Sequence, residues 1–226
     1  MQGVAVLAAG NEGSIAWMFV IGAAVLGTTL SPIAESLIAW RLPRLGTVPV
    51  LPVRMTTAAL TGVACAAFAL RFGITSFLPA FLFLAVLGVQ LARIDAGLHL
   101  LPNPLVLMLL AGGGLLLLFP GLLNQPVQNV LRALLGAVVL FAGYLIMGLI
   151  SPGAIGMGDV KLAAPIGLYL GYLGWTELLY GGLLGFILNG LVTITLLARK
   201  GRERTAEVPH GPSMLAAAAG IALLLA

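Results

Sequence analysis

Residues 104–120 read P-L-V-L-M-L-L-A-G-G-G-L-L-L-L-F-P, a run with no charged side chain and no hydroxyl, amide or imidazole. A helix that crosses lipid hydrocarbon takes roughly 17 to 25 apolar residues, and this run meets that length. Outward from it, breaks at charges, prolines and polar clusters divide the chain into up to eight such segments, near 14–39, 55–72, 76–92, 104–120, 130–150, 162–176, 179–198 and 211–226. The composition agrees. Of 226 residues 61% are hydrophobic and 8% charged, and the mean hydropathy is +1.14. Soluble domains carry about 25% charged residues and could not hide so much apolar surface. The expected fold is therefore all-α, a polytopic transmembrane helical bundle of about eight spans. Segments six and seven are separated by little more than Glu177, so seven spans or a re-entrant sixth also fit.

Charge supplies the topology. With eight alternating spans, Arg41, Arg44, Arg54, Arg93, Lys161 and the group Arg199, Lys200, Arg202 and Arg204 fall on one side, while Arg71 and Arg132 flank the other. The positive-inside rule makes the first side cytosolic and puts the N- and C-termini outside. The net charge of +4 is thus explained by membrane orientation. No basic stripe with interleaved aromatics suggests nucleic acid. No Lys or Arg precedes Arg41, so the first apolar segment is read as retained rather than as a cleaved signal. The loop Arg41–Arg54, with Pro43, Pro49 and Pro52, is expected to run extended along the interface. The lone Cys65 excludes an internal disulfide and a cysteine-cluster zinc site and reads as a packed helix residue.

The chain holds two aspartates, Asp95 in A-R-I-D-A-G-L-H-L-L-P-N-P and Asp159 in G-A-I-G-M-G-D-V-K-L. The topology places both at the same face and at similar depth. An ionisable side chain in a membrane segment is costly and calls for a partner or a function. Three readings are open at this point. Each aspartate could pair with its neighbour, Arg93 or Lys161, at a helix end. The two could line a proton or cation pathway. Or they could form a catalytic dyad, in which repulsion leaves one carboxyl protonated and the other ionised. One then takes a proton from water and the other polarises a carbonyl, with no metal, cofactor or covalent intermediate. Gly153, Gly156 and Gly158 after Pro152 suit a loop that takes positive φ values and lets a substrate backbone reach Asp159. Lys161 either anchors the helix at the headgroups or steadies the ionised pair.

The motifs favour the third reading. Gly156-Met157-Gly158-Asp159-Val160-Lys161 resembles the G-x-G-D signature, followed shortly by lysine, of the type IV prepilin leader peptidases and the related archaeal preflagellin peptidases. Asp95, followed by Leu101-Pro102-Asn103, is similar to that family's other aspartate with its hydrophobic-Pro-Asn element. Val208 to Ser213, V-P-H-G-P-S, resembles the Pro-x-Gly-Pro element, and Trp40 to Pro43 the family's Arg-Leu-Pro. His210 stands where relatives often have phenylalanine and reads as a loop residue; His99, between Asp95 and Pro102, is the better candidate of the two histidines for the site. The resemblance implies an aspartic endopeptidase of the plasma or inner membrane that removes the leader from type IV prepilin or pilin-like precursors at the cytosolic face. It implies Asp95 and Asp159 as catalytic, Gly156, Gly158 and Lys161 as loop support, and Pro102, Asn103, Gly211 and Pro212 as substrate-binding. Many bacterial members carry two zinc-binding cysteine pairs in a long loop after the first span. That loop is short here and has no cysteine, which weighs against N-methyltransferase activity. Residues 1–226 are expected to form one transmembrane peptidase domain, with 14–54 as the first span and reduced loop and 55–226 as the catalytic core. A transporter and a non-catalytic pilus-assembly component are the alternatives.

Overall fold

Lipid offers no hydrogen bonds to the backbone, so each apolar run must satisfy its own N–H and C=O groups, and a helix is how a single segment does so. The computed structural model describes residues 10–46, 48–124, 126–151, 155–200 and 208–225. Among these it has eight α-helices and no strand: α1 Gly10–Arg41, α2 Leu51–Phe72, α3 Leu78–Leu98, α4 Asn103–Asn124, α5 Val127–Ile150, α6 Met157–Leu173, α7 Trp175–Lys200 and α8 Gly211–Leu224. Helices α1 to α5 and α7 are long and apolar enough to cross a membrane, and large apolar side chains such as Leu115, Val138, Leu149 and Ile187 face outward. The chain is a multi-pass, all-helical membrane protein. At about 1.5 Å per residue, the 17 residues of α6 and the 14 of α8 fall short of a hydrocarbon core about 30 Å thick.

Three boundaries differ from the sequence reading. The Arg41–Arg54 segment is only partly extended: Pro43–Leu45 forms a 3-10 turn, and α2 starts at Leu51 with Pro52 in its first turn. Proline costs little there, because that N–H has no intrahelical partner. The break between the sixth and seventh segments falls at Gly174 and not at Glu177, which lies in the first turn of α7, where a negative charge meets the positive end of the helix dipole. Helix α6 begins at Met157, so Asp159 sits within its first turn. Pro152, Gly153, Arg202 and Arg204 lie outside the described residues.

The chain divides into two compact units, Met1–Gln90 and Leu91–Ala226, with the boundary inside α3. In the first, α1 packs on α2, where fully buried Cys65 lies so close to Gly27 that a Cβ there would meet Sγ at 2.6 Å. Glu35, 1% exposed, accepts from Arg54 Nε at 3.1 Å and from the Thr57 hydroxyl at 2.5 Å. Gln90 Nε2 donates to Ser31 Oγ at 3.0 Å. These pairings are what buried polar groups in lipid require.

In the second unit α6 is the hub, packed against α4, α5, α7 and α8 and buried along nearly its whole length from Asp159 to Tyr172. Its approach to α5 is set by glycine. A Cβ on Gly136 would stand 2.5 Å from the Gly167 carbonyl and 2.9 Å from Gly171 Cα, the kind of backbone contact that small residues permit between membrane helices. Arg132 of α5 closes the far end of α6: Nε donates to the Gly171 carbonyl at 2.7 Å, and Nη2 to those of Tyr172 and Leu173 at 2.8 and 2.9 Å. These are terminal carbonyls that no following turn can satisfy.

Candidate active site

Asp95 lies one turn before the end of α3, and the chain then reverses. His99 has φ of 50° and its N–H donates to the Asp95 carbonyl at 2.8 Å. This is a left-handed helix stop of the kind that glycine usually provides and that histidine tolerates better than most residues. After this turn come Leu101 and Pro102, both buried, and α4 starts at Asn103. The exposed His99 also acts electrostatically on Asp95.

Asp159 is the third residue of α6, after Gly156 in the N-cap position. The Gly156 backbone amide acts favourably on the Asp159 carboxyl, the half of a capping box in which an acidic side chain reaches back to the N-cap N–H. Asp95 has a matching donor: Gly211 N–H reaches its Oδ2 at 3.1 Å from the first residue of α8. Both aspartates are buried, at 5% and 9% exposure, and the charge of Asp95 acts on Asp159. Three segments remote in sequence thus bring together two carboxyl groups, each held by one backbone amide. A carboxyl pair of this kind resists double ionisation.

Leu101 fills the space between these parts. A Cβ on Gly158 would meet Leu101 Cβ at 3.0 Å, and one on Gly211 would meet Leu101 Cδ1 at 3.4 Å and Asp95 Oδ2 at 2.6 Å. The glycines therefore serve close approach. Gly156 has φ of −68° and Gly158 is helical, so the positive φ values expected of this loop are not used at either residue. Lys161 donates from Nζ to Asn103 Oδ1 at 2.9 Å, tying the start of α6 to the start of α4 at an exposed position. Pro102 accepts from the N–H groups of Leu105 and Val106, and Pro212, half-buried, occupies the first turn of α8.

The residue that the sequence reading undervalued is His210. It is buried, with its Nε2 3.0 Å from the Tyr144 hydroxyl of α5, and its ring packs near those of Tyr144 and Phe186. Burial holds its imidazole below the usual histidine range, and so neutral at neutral pH. Tyr144 in turn feels the charge of Asp159. The only advance signal was its place beside Gly211 in V-P-H-G-P-S.

Fold and site together define a polytopic membrane protein with a buried carboxyl pair at helix ends. The chain belongs to the type IV leader peptidase family, whose model matches residues 81–196. It is 35% identical over 137 residues to the prepilin leader peptidase/N-methyltransferase of Aeromonas hydrophila, a match covering 60% of this chain and 46% of that protein. It is 33% identical over 113 residues to the protein of the same description from Bacillus subtilis (strain 168), covering 50% of this chain and 43% of the relative. The matched region is thus less than half the length of these curated relatives. No solved structure matches the chain.

Proposed function

We propose that this protein is an intramembrane aspartic endopeptidase that removes the leader peptide from type IV prepilin or pilin-like precursors, with Asp95 and Asp159 as its catalytic pair. The observation that carries the reading is the meeting of the only two aspartates in the chain, from α3 and α6, both buried and each held by a backbone amide. Family membership supports the same reading.

In the reaction the ionised carboxyl takes a proton from water as the water oxygen attacks the scissile carbonyl carbon. The protonated carboxyl donates a hydrogen bond to the carbonyl oxygen and stabilises the charge that develops there. Collapse of the tetrahedral intermediate breaks the C–N bond, and the leaving nitrogen receives a proton from the pair. The two residues titrate as a unit, so neither is assigned a fixed role. Cleavage then falls on both sides of a pH optimum, because the pair works only with one proton between its members.

The basic residues Arg41, Arg44, Arg54, Arg93 and Lys161 favour a cytosolic placement of this face, with both termini outside. The apolar stem of the substrate would lie in lipid beside the helices while its leader enters from the cytosol. Gly156 and Gly158 shape the approach to Asp159, and the Lys161–Asn103 bond with Pro102, Gly211 and Pro212 forms its rim. The short loop after α1 favours peptidase without N-methylation.

The test is co-expression of pilin-like precursors from the same genome with the parent, Asp95→Ala or Asp159→Ala, following precursor size and the product's N-terminal sequence and mass. The parent alone should cleave, leaving an unmethylated N-terminus. Cleavage by either variant at the parent's level, with all proteins in the membrane in equal amount, would remove the dyad.

A further inference from the structure

The pairing of Tyr144 with His210 lies one residue from the amide that holds Asp95, and the proposed chemistry does not use it. Gly211 N–H can reach Asp95 Oδ2 only if the turn before α8 is held against α3. The His210 ring is wedged beside Tyr144 and Phe186, with centroids 5.7 and 5.1 Å away, and Tyr144 stacks on Phe186 at 4.9 Å. Its Nε2 meets the Tyr144 hydroxyl at 3.0 Å, whereas its Nδ1 has no partner among the described residues. Among those residues the Tyr144 hydroxyl is the imidazole's one polar tether, and losing it leaves a buried polar ring unsatisfied.

We infer that His210 and Tyr144 are positioning residues, a hydrogen-bonded strut from α5 to the start of α8 that holds the Gly211 amide on Asp95. The inference rests on the peptidase reading for its catalytic consequence but not for its structural one. A backbone donor that is fixed before the reaction costs no reorganisation during it. The strut should therefore show in turnover and not in substrate affinity.

Tyr144→Phe removes the hydroxyl and keeps the ring. His210→Phe keeps the stack and loses the tether, whereas His210→Gln offers a side-chain amide that can still meet Tyr144. The experiment measures hydrogen–deuterium exchange in the peptide 208–215 of purified protein, and in parallel kcat and KM for precursor cleavage. The expected result is faster exchange in Tyr144→Phe and His210→Phe, and kcat lower by about tenfold, the loss of roughly one buried hydrogen bond, with KM within about twofold by the same argument. His210→Gln should recover part of both, and the double variant Tyr144→Phe/His210→Phe should be no worse than the weaker single. Unchanged exchange in both single variants would overturn the strut, whatever the activity. Faster exchange with unchanged kcat, or losses that multiply in the double variant, would overturn its catalytic role. If the parent cleaves no precursor, the peptidase reading fails, and the exchange data alone decide whether the two residues hold Gly211.

Discussion

Replacing Gly211 with alanine adds one methyl group at the most crowded point of the candidate site. The new Cβ would stand 2.6 Å from Asp95 Oδ2, 3.3 Å from its Cγ and 3.4 Å from Leu101 Cδ1. Carbon and carboxylate oxygen do not approach that closely, so either the Asp95 carboxyl turns away or the first turn of α8 retreats. Both movements stretch the 3.1 Å bond from Gly211 N–H to Oδ2. A hydrogen bond to a charged group contributes about 1.5–3 kcal/mol, and each 1.36 kcal/mol is a factor of ten in rate. Gly211→Ala should therefore lower kcat/KM for precursor cleavage by about 10- to 100-fold. Gly158→Ala is the contrasting change. Its Cβ would meet Leu101 Cβ at 3.0 Å and no carboxylate, a contact relieved by a shift of a few tenths of an ångström, while alanine favours the helix by up to about 1 kcal/mol. That variant should stay within about threefold of the parent, since no charged-group bond is lost. The assay is cleavage in proteoliposomes, with thermal stability in detergent measured alongside. Parent-like cleavage by Gly211→Ala would refute the argument, as would equal losses in the two variants.

Arg132→Ala should leave the carbonyls of Gly171, Tyr172 and Leu173 without their donor; the expected cost is about 1–3 kcal/mol, read as a lower thermal midpoint in detergent. Gly167→Val should prevent accumulation of folded protein, because a Cβ at that position runs into the Gly136 carbonyl and Ala137 Cα, and backbone cannot swing aside; normal levels in the membrane would contradict the close packing of α5 on α6. Arg54→Met strands buried Glu35 and should destabilise by about 1–3 kcal/mol, less than for a fully buried pair because Arg54 is partly exposed. Adding Glu35→Gln should recover part of that loss, and a double-mutant cycle measures how much.

Lipid explains both what the sequence disclosed and what it withheld. Apolar runs of this length bounded by Arg41, Arg71, Arg93 and the prolines mark helices whatever those helices touch, because a lone lipid-exposed segment can satisfy its backbone only within itself. Asp95 and Asp159 stood out because a carboxyl in such a chain demands explanation. What composition could not distinguish was inside from outside. Leu168 and Leu170 of α6 are buried, whereas Leu183 and Leu191 of α7 face outward, yet all four are leucines in apolar helices, since lipid and protein interior are equally apolar. The glycines Gly167 and Gly171, four apart and matched by Gly136, were the available sign that α6 is enclosed.

The same ambiguity hid Arg132 and His210. Arginine between apolar runs reads first as a topology marker, and Arg132 can sit at a membrane boundary while it caps α6. The two roles use different ends of one argument, since a charge near the interface is cheapest where carbonyls need donors. His210 is 66 residues from Tyr144, and no local pattern links a tyrosine in an apolar run to a histidine in a later loop. A buried neutral histidine and a loop histidine are the same letter. What separates them is the neighbouring Gly211: a glycine whose missing side chain is occupied by Asp95 requires something rigid beside it, and the Tyr144–His210 bond meets that requirement.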